Sequence, residues 1–136
     1  MSVRPAGACA LLWFGSLALV AAQGTAWQLP ADAADEKNPV TVTAATLASG
    51  RRLYRDNCQR CHGPQGKGNG SDADPRLKPR MDLTSTARAE LNPDGVVFHK
   101  IWRGREKPKM PAFREKLTRE QVWTLVGFVQ SLREKS

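Results

Sequence analysis

Three cysteines and two histidines are all the thiols and imidazoles that this 136-residue chain offers to metal or disulfide chemistry. Cys9 opens an apolar N-terminal run, which leaves Cys58 and Cys61 as the pair available to a folded domain. A disulfide between those two would close a tiny loop and stabilise little. A structural zinc site draws four ligands from separated clusters, and beyond Cys58, Cys61 and His62 only His99 remains as a nitrogen donor. A thioredoxin-like use of the C-x-x-C pair fails because no βαβ pattern surrounds it. Strand alternation, internal repeats, helix-turn-helix patterning and finger-type Cys/His spacing are missing as well. These absences argue against nucleic acid as a partner.

The N-terminus has the layout of a secretory signal. Arg4 and the free amine precede an apolar run over residues 9–22, which is shorter than the roughly 20 apolar residues of a membrane span. Small residues at Val20-Ala21-Ala22 predict cleavage after Ala22, so residues 1–22 read as a signal peptide. Left uncleaved, the segment would instead tie the chain to a membrane. No twin-arginine pair precedes the run, which favours the general secretory route and a periplasmic destination. Residues 23–43 carry Pro30, Pro39 and scattered Ala and Asp with no periodic apolar face. They read as a flexible lead-in, with the domain at 44–136.

Helical spacing begins near Ala44. Leu47, Gly50, Leu53, Tyr54 and Cys58 share one face of a predicted helix, and Gly50 implies a close approach by another element. Residues 63–70 hold four glycines with Pro64 and Asn69, which predicts an irregular loop able to lie against a flat cofactor. A second helix is expected from Pro93 to Arg103, capped by Asn92 and ended by Gly104. A capping box at Thr118-Arg119-Glu120-Gln121 opens the last helix, with Val122, Leu125, Val126, Val129 and Leu132 at helical spacing. The fold class is all-α with long loops.

Cys58-Gln59-Arg60-Cys61-His62 supplies the chemistry. C-x-x-C-H is the pattern of c-type haem attachment, in which two thiols add to the two vinyl groups and the adjacent imidazole becomes an axial ligand to iron. One such motif implies one covalent haem c per chain, a large apolar plate for a small domain to pack on. Candidates for the sixth iron position are Met110, Met81 and His99. Met110 is best placed, because Pro111 stiffens its loop and holds it extended. Met81 reads as packing and His99 as a surface or capping residue.

From Ala44 to Leu132 the order of parts resembles the class I c-type cytochromes. The likeness rests on Gly50…Tyr54…Cys58-Gln59-Arg60-Cys61-His62-Gly63, the glycine-rich loop, Pro79…Asp82-Leu83-Thr84, Ile101-Trp102-Arg103-Gly104, Met110-Pro111-Ala112-Phe113, and a last helix with Trp123, Leu125 and Phe128. The resemblance implies a cytochrome c-like domain of three to five helices around a covalent haem. It implies thioether bonds from Cys58 and Cys61, with His62 and Met110 as iron ligands. It also implies crossing first and last helices, with Gly50 and Tyr54 against Leu125 and Phe128. A proline carbonyl usually accepts the Nδ1–H of the ligand histidine in such proteins. Pro79 is assigned that role, with Pro75 as the alternative. Arg80, Trp102 and Arg103 are expected to meet the haem propionates. Related sequences often have proline where Met81 stands.

The leading functional expectation is a carrier of single electrons between redox partner proteins. The alternatives are a haem subunit held in a multi-subunit dehydrogenase or oxidase, and a five-coordinate catalytic or gas-binding haem. The chain carries a net charge of +8, and +7 without Arg4, the one charged side chain of residues 1–22. Arg103, Arg105, Lys107 and Lys109 crowd a short stretch beside Met110. Such a surface suits an acidic docking patch on a partner.

Overall fold

The computed structural model describes residues 26–133, so the expected signal segment and its cleavage point at Ala22 lie outside the described residues. Five α-helices carry the fold: α1 (Ala44–Asn57), α2 (Gln59–His62), α3 (Lys78–Met81), α4 (Asp94–Arg103) and α5 (Arg119–Ser131). Among the described residues there is no strand, only isolated bridges pairing Lys67 with Asp82 and Arg105 with Met110. The all-α expectation holds.

Both long helices start on reciprocal caps. Thr43 Oγ1 accepts the Thr46 N–H at 3.1 Å while Thr46 Oγ1 accepts the Thr43 N–H at 2.8 Å. Thr118 and Gln121 do the same at the start of α5, at 3.2 and 2.8 Å. Each pair satisfies two amides that the helix itself leaves without partners. At the other end of α4, Gly104 adopts φ +65°, which only glycine enters without strain. Pro93 rather than Asn92 occupies the α4 cap position. The Asn92 amide instead donates to the Arg88 carbonyl, and its Oδ1 accepts from Lys100.

The α1–α5 crossing is as the resemblance implies. A Cβ at Gly50 would stand 2.7 Å from Phe128 Cβ and 2.8 Å from the Thr124 carbonyl. The Tyr54 and Phe128 rings lie 5.2 Å apart, with Leu125 fully buried one turn earlier. Because one of the two collisions is with backbone, Gly50→Ala should force the helices apart and cost about 1–3 kcal/mol. Denaturant unfolding of the intact protein measures this, and a loss under about 0.5 kcal/mol would contradict the close crossing. On the other flank Phe98 of α4 stacks on Trp123 at 4.2 Å, joining α4 to α5 in one core.

Residues 26–43 do not behave as a free lead-in. Ala33 is 2% exposed. The Asn38 side chain donates to the Trp123 carbonyl at 3.0 Å, and the Asn38 N–H reaches Asp94 at 3.3 Å. The Gly95 N–H donates to the Glu36 carbonyl at 3.2 Å, and Glu36 Oε1 meets His99 Nε2 at 2.8 Å. His99 is therefore buried beneath this segment, contrary to the surface position expected for it. The partners lie 56 to 85 residues away in the chain for Asn38, so no local periodicity announces the contact.

Candidate cofactor site

The first wall of the site is the end of α1 and the single turn of α2. The Cys58 N–H closes on the Tyr54 carbonyl at 2.8 Å, and the His62 N–H on the Cys58 carbonyl at 3.0 Å. This turn sets Cys58 and His62, four positions apart on one helical face, on the wall of a common cavity. Cys61 is exposed and does not line that wall. Burial first, and Cys61 second, push the Cys58 thiol up to about 12.

His62 Nδ1 lies 2.8 Å from the Met81 carbonyl oxygen. A carbonyl can only accept, so Nδ1 carries the proton and Nε2 keeps its lone pair for a metal. Burial lowers the pKa of the imidazole, against a smaller opposing pull from the Met81 bond. A neutral ring of fixed tautomer is what an iron ligand requires.

Pro79, expected to supply that acceptor, does not. Its carbonyl accepts from Arg88 at 3.0 Å, and the Pro75 carbonyl accepts the Lys78 N–H. Met81 ends α3, where helix carbonyls have no partner within the helix, and its oxygen is free for His62.

The glycine-rich loop also takes a different part from the one expected. None of its residues lines the cavity. The Gly68 N–H donates to the His62 carbonyl at 2.8 Å, and the Gly66 carbonyl accepts the Leu83 N–H at 2.7 Å. Tyr54 Oη donates to the Gly63 carbonyl at 2.6 Å. Gly63, Gly66 and Gly68 hold φ values of +81°, +77° and +69°. The loop thus braces the α2 turn and the Met81 segment.

The cavity has a volume of about 430 Å³. Leu83, Val97, Ile101 and Val129 give it apolar walls, and Met110 lines it together with His62 and Cys58. Met110 is held by its own backbone: its N–H and C=O both pair with Arg105 at 2.8 Å. Beyond Pro111, the N–H of the buried Phe113 returns to the Ile101 carbonyl at 3.1 Å.

Arg80, Arg88, Lys100, Arg105 and Arg133 also line the cavity, with Asp82 as the one carboxylate. Burial, then the charges of Arg88, Arg105 and Arg133, lower Lys100 from 10.5 to about 8. So crowded a set of cations calls for anions. A flat apolar ring with a metal at its centre and two carboxylates on its edge meets each demand of these walls. Haem is such a group. The cavity would take its plate between the apolar walls, His62 Nε2 would face its iron, and the cations would face its propionates.

Arg80, expected to meet a propionate, lines the cavity. Trp102 does not, because it stacks on Phe98 at 5.7 Å under Arg119. Arg103 is exposed and off the cavity wall too. The aromatic residues that do line the cavity are Tyr54 of α1 and Trp27, the latter from the segment read as a lead-in. A single tryptophan in a stretch without periodicity was its only signal.

A short helix turn bearing Cys58 and His62, a methionine loop on the same cavity and a crossed α1–α5 pair define a small all-α c-type cytochrome. The chain belongs to the family described as cytochrome C oxidase, cbb3-type, subunit III, whose model matches residues 45–129. It is 31% identical over 85 residues to cytochrome c6 of Parathermosynechococcus lividus, covering 62% of this chain and 88% of that protein.

Among solved structures it is similar to the KustC0563 c-type cytochrome, with 30% identity and a TM-score of 0.50, over 62% of this chain and 96% of that one. It is also similar to a chain of the Kuenenia stuttgartiensis reducing HAO-like protein complex Kustc0457/Kustc0458, at 25% identity and a TM-score of 0.54. That match covers 69% of this chain but spans only 46% of the other. The protein is accordingly an electron-transfer protein with covalently bound haem c and its iron, rather than an enzyme.

Proposed function

We propose that Cys58 and Cys61 hold the haem through thioether bonds, that His62 and Met110 ligate its iron, and that the protein passes single electrons between partner proteins outside the cytoplasm. The observation that carries this reading is that Cys58 and His62 of the C-x-x-C-H turn and Met110 of a separate loop line one cation-rimmed cavity. When bound, the haem supplies a one-electron Fe(II)/Fe(III) couple. The polypeptide orients the imidazole through Met81, holds Met110 through Arg105, and excludes water with apolar walls. With both axial positions taken, the iron would have no vacancy for a substrate, which suits transfer rather than catalysis. Absorption spectra of both redox states test the ligation, and a methionine-to-iron charge-transfer absorption in the ferric protein is expected.

Residues 1–22 support export ahead of haem attachment. Among the described residues, no helix is long and apolar enough to cross a membrane. The exposed Arg103, Lys107 and Lys109 suit docking on an acidic partner, whereas Arg105 is turned to the cavity. Raising salt from low to physiological levels should then slow electron exchange by about tenfold or more. Stopped-flow mixing with an acidic redox protein measures it, and a rate indifferent to salt would remove the docking role.

A second reading has its own support. The family description names an oxidase subunit, and one structural relative is a chain of a protein complex. On that reading the same haem serves within a multi-subunit oxidoreductase, and co-purification with a larger redox subunit after high-salt washing would establish it.

A further inference from the structure

We propose that Trp27 is a positioning residue for Met110, acting through Arg105, and that residues 26–43 are the strap that delivers it. The proposal rests on Met110 being the iron ligand. Trp27 lines the cavity beside Lys100, Arg105 and Met110. The Arg105 guanidinium stands 4.1 Å from the centre of the Trp27 ring, and Lys100 Nζ stands 5.3 Å from it. A partly buried cation over an indole face is held by the ring's quadrupole, more firmly than at an exposed site. Arg105 Nε also donates to the Pro108 carbonyl at 3.2 Å, while the Arg105 backbone exchanges both of its hydrogen bonds with Met110. Fixing Arg105 therefore fixes both ends of the 105–110 loop on which Met110 is carried.

The strap is fastened well away from the cavity. Glu36 grips His99 and Gly95, and Asn38 grips Asp94 and Trp123. Gly95 lets the chain pass against α4. A Cβ there would run into the Ala33 carbonyl and stand 2.6 Å from Glu36 Cβ. The strap precedes the span that matches the family model, residues 45–129. It lies outside that span, with one aromatic ring reaching the site.

The test uses the full haem-loaded protein and its Trp27→Ala, Trp27→Phe and Gly95→Ala variants. Stained haem after denaturing electrophoresis should be equal in all four. Carbon monoxide should bind ferrous Trp27→Ala about tenfold faster than the parent, the factor expected when a desolvated cation–aromatic contact is lost and the methionine leaves the iron more often. Phenylalanine keeps an aromatic face, so Trp27→Phe should stay near the parental rate. Gly95→Ala lifts the strap without touching the cavity and should reproduce the faster rate. A role in packing alone would lower the unfolding temperature without moving the carbon monoxide rate. Parental spectra lacking the methionine-to-iron absorption would overturn the Met110 reading and this proposal with it. A parental spectrum with that absorption, together with a Trp27→Ala rate equal to the parent's, overturns this proposal alone.

Discussion

Replacing Cys58 and Cys61 together by alanine should free the polypeptide of covalent haem and leave a chain that no longer folds cooperatively. The helices cannot close over the site unaided. A cavity of about 430 Å³ left empty costs on the order of 10 kcal/mol at roughly 24 cal/mol per Å³, comparable with the whole stability of a small domain, about 5–15 kcal/mol. Flooding the cavity relieves part of that cost but strands Val97, Ile101 and Val129 against water. The rim makes matters worse, because Lys100 is lowered to about 8 by its burial first and then by the charges of Arg88, Arg105 and Arg133, which repel it there. The α1–α5 crossing should persist as residual helix, since Gly50, Tyr54, Leu125 and Phe128 meet without help from the site. Haem staining after denaturing electrophoresis reads the first effect, and a broad, non-cooperative thermal transition by circular dichroism reads the second. A stained band surviving in the double variant would refute attachment through these sulfurs.

What the sequence disclosed, and what it hid, divides by the range of the forces involved. Helix faces repeat locally, so the shared face of Gly50 and Tyr54 follows from spacing, as do the capping box at Thr118 and the terminating glycine at position 104, while the meeting of that face with Phe128 is what the family resemblance implies. The direction of a carbonyl does not repeat in this way. Pro79 and Met81 both belong to α3, and which oxygen faces His62 depends on where that turn ends and on Arg88 claiming the other oxygen. Trp102 was misplaced for a related reason. Val97, Lys100 and Ile101 form the cavity face of α4, and the next residue is turned about 100° from it, onto Phe98. Trp27 was hidden most completely. Its segment has no periodicity, and the contacts that fix it join residues far apart in sequence.

Replacing Met110 by alanine should leave the haem attached while changing its electronic character. The thioether favours ferrous iron, so His/Met ligation raises the reduction potential. Its removal should lower the potential by on the order of 0.1 V or more, a fraction of the roughly 0.8 V over which axial ligands act. The methionine-to-iron absorption should vanish, and carbon monoxide should bind the ferrous iron readily. Neither of the other two ligand candidates stands ready to substitute. His99 is buried against Glu36, and Met81 does not line the cavity, its carbonyl being engaged by His62 instead. The fold should tolerate the change, because the Met110 backbone bonds to Arg105 do not involve its side chain. Met81→Ala is the discriminating control. Its carbonyl remains, so His62 keeps its tautomer, and both the absorption and the potential should stay near those of the parent. If Met81→Ala abolishes the absorption and Met110→Ala preserves it, the assignment is reversed. The loop from Gly104 to Pro111 would then serve to close the cavity rather than to ligate the iron.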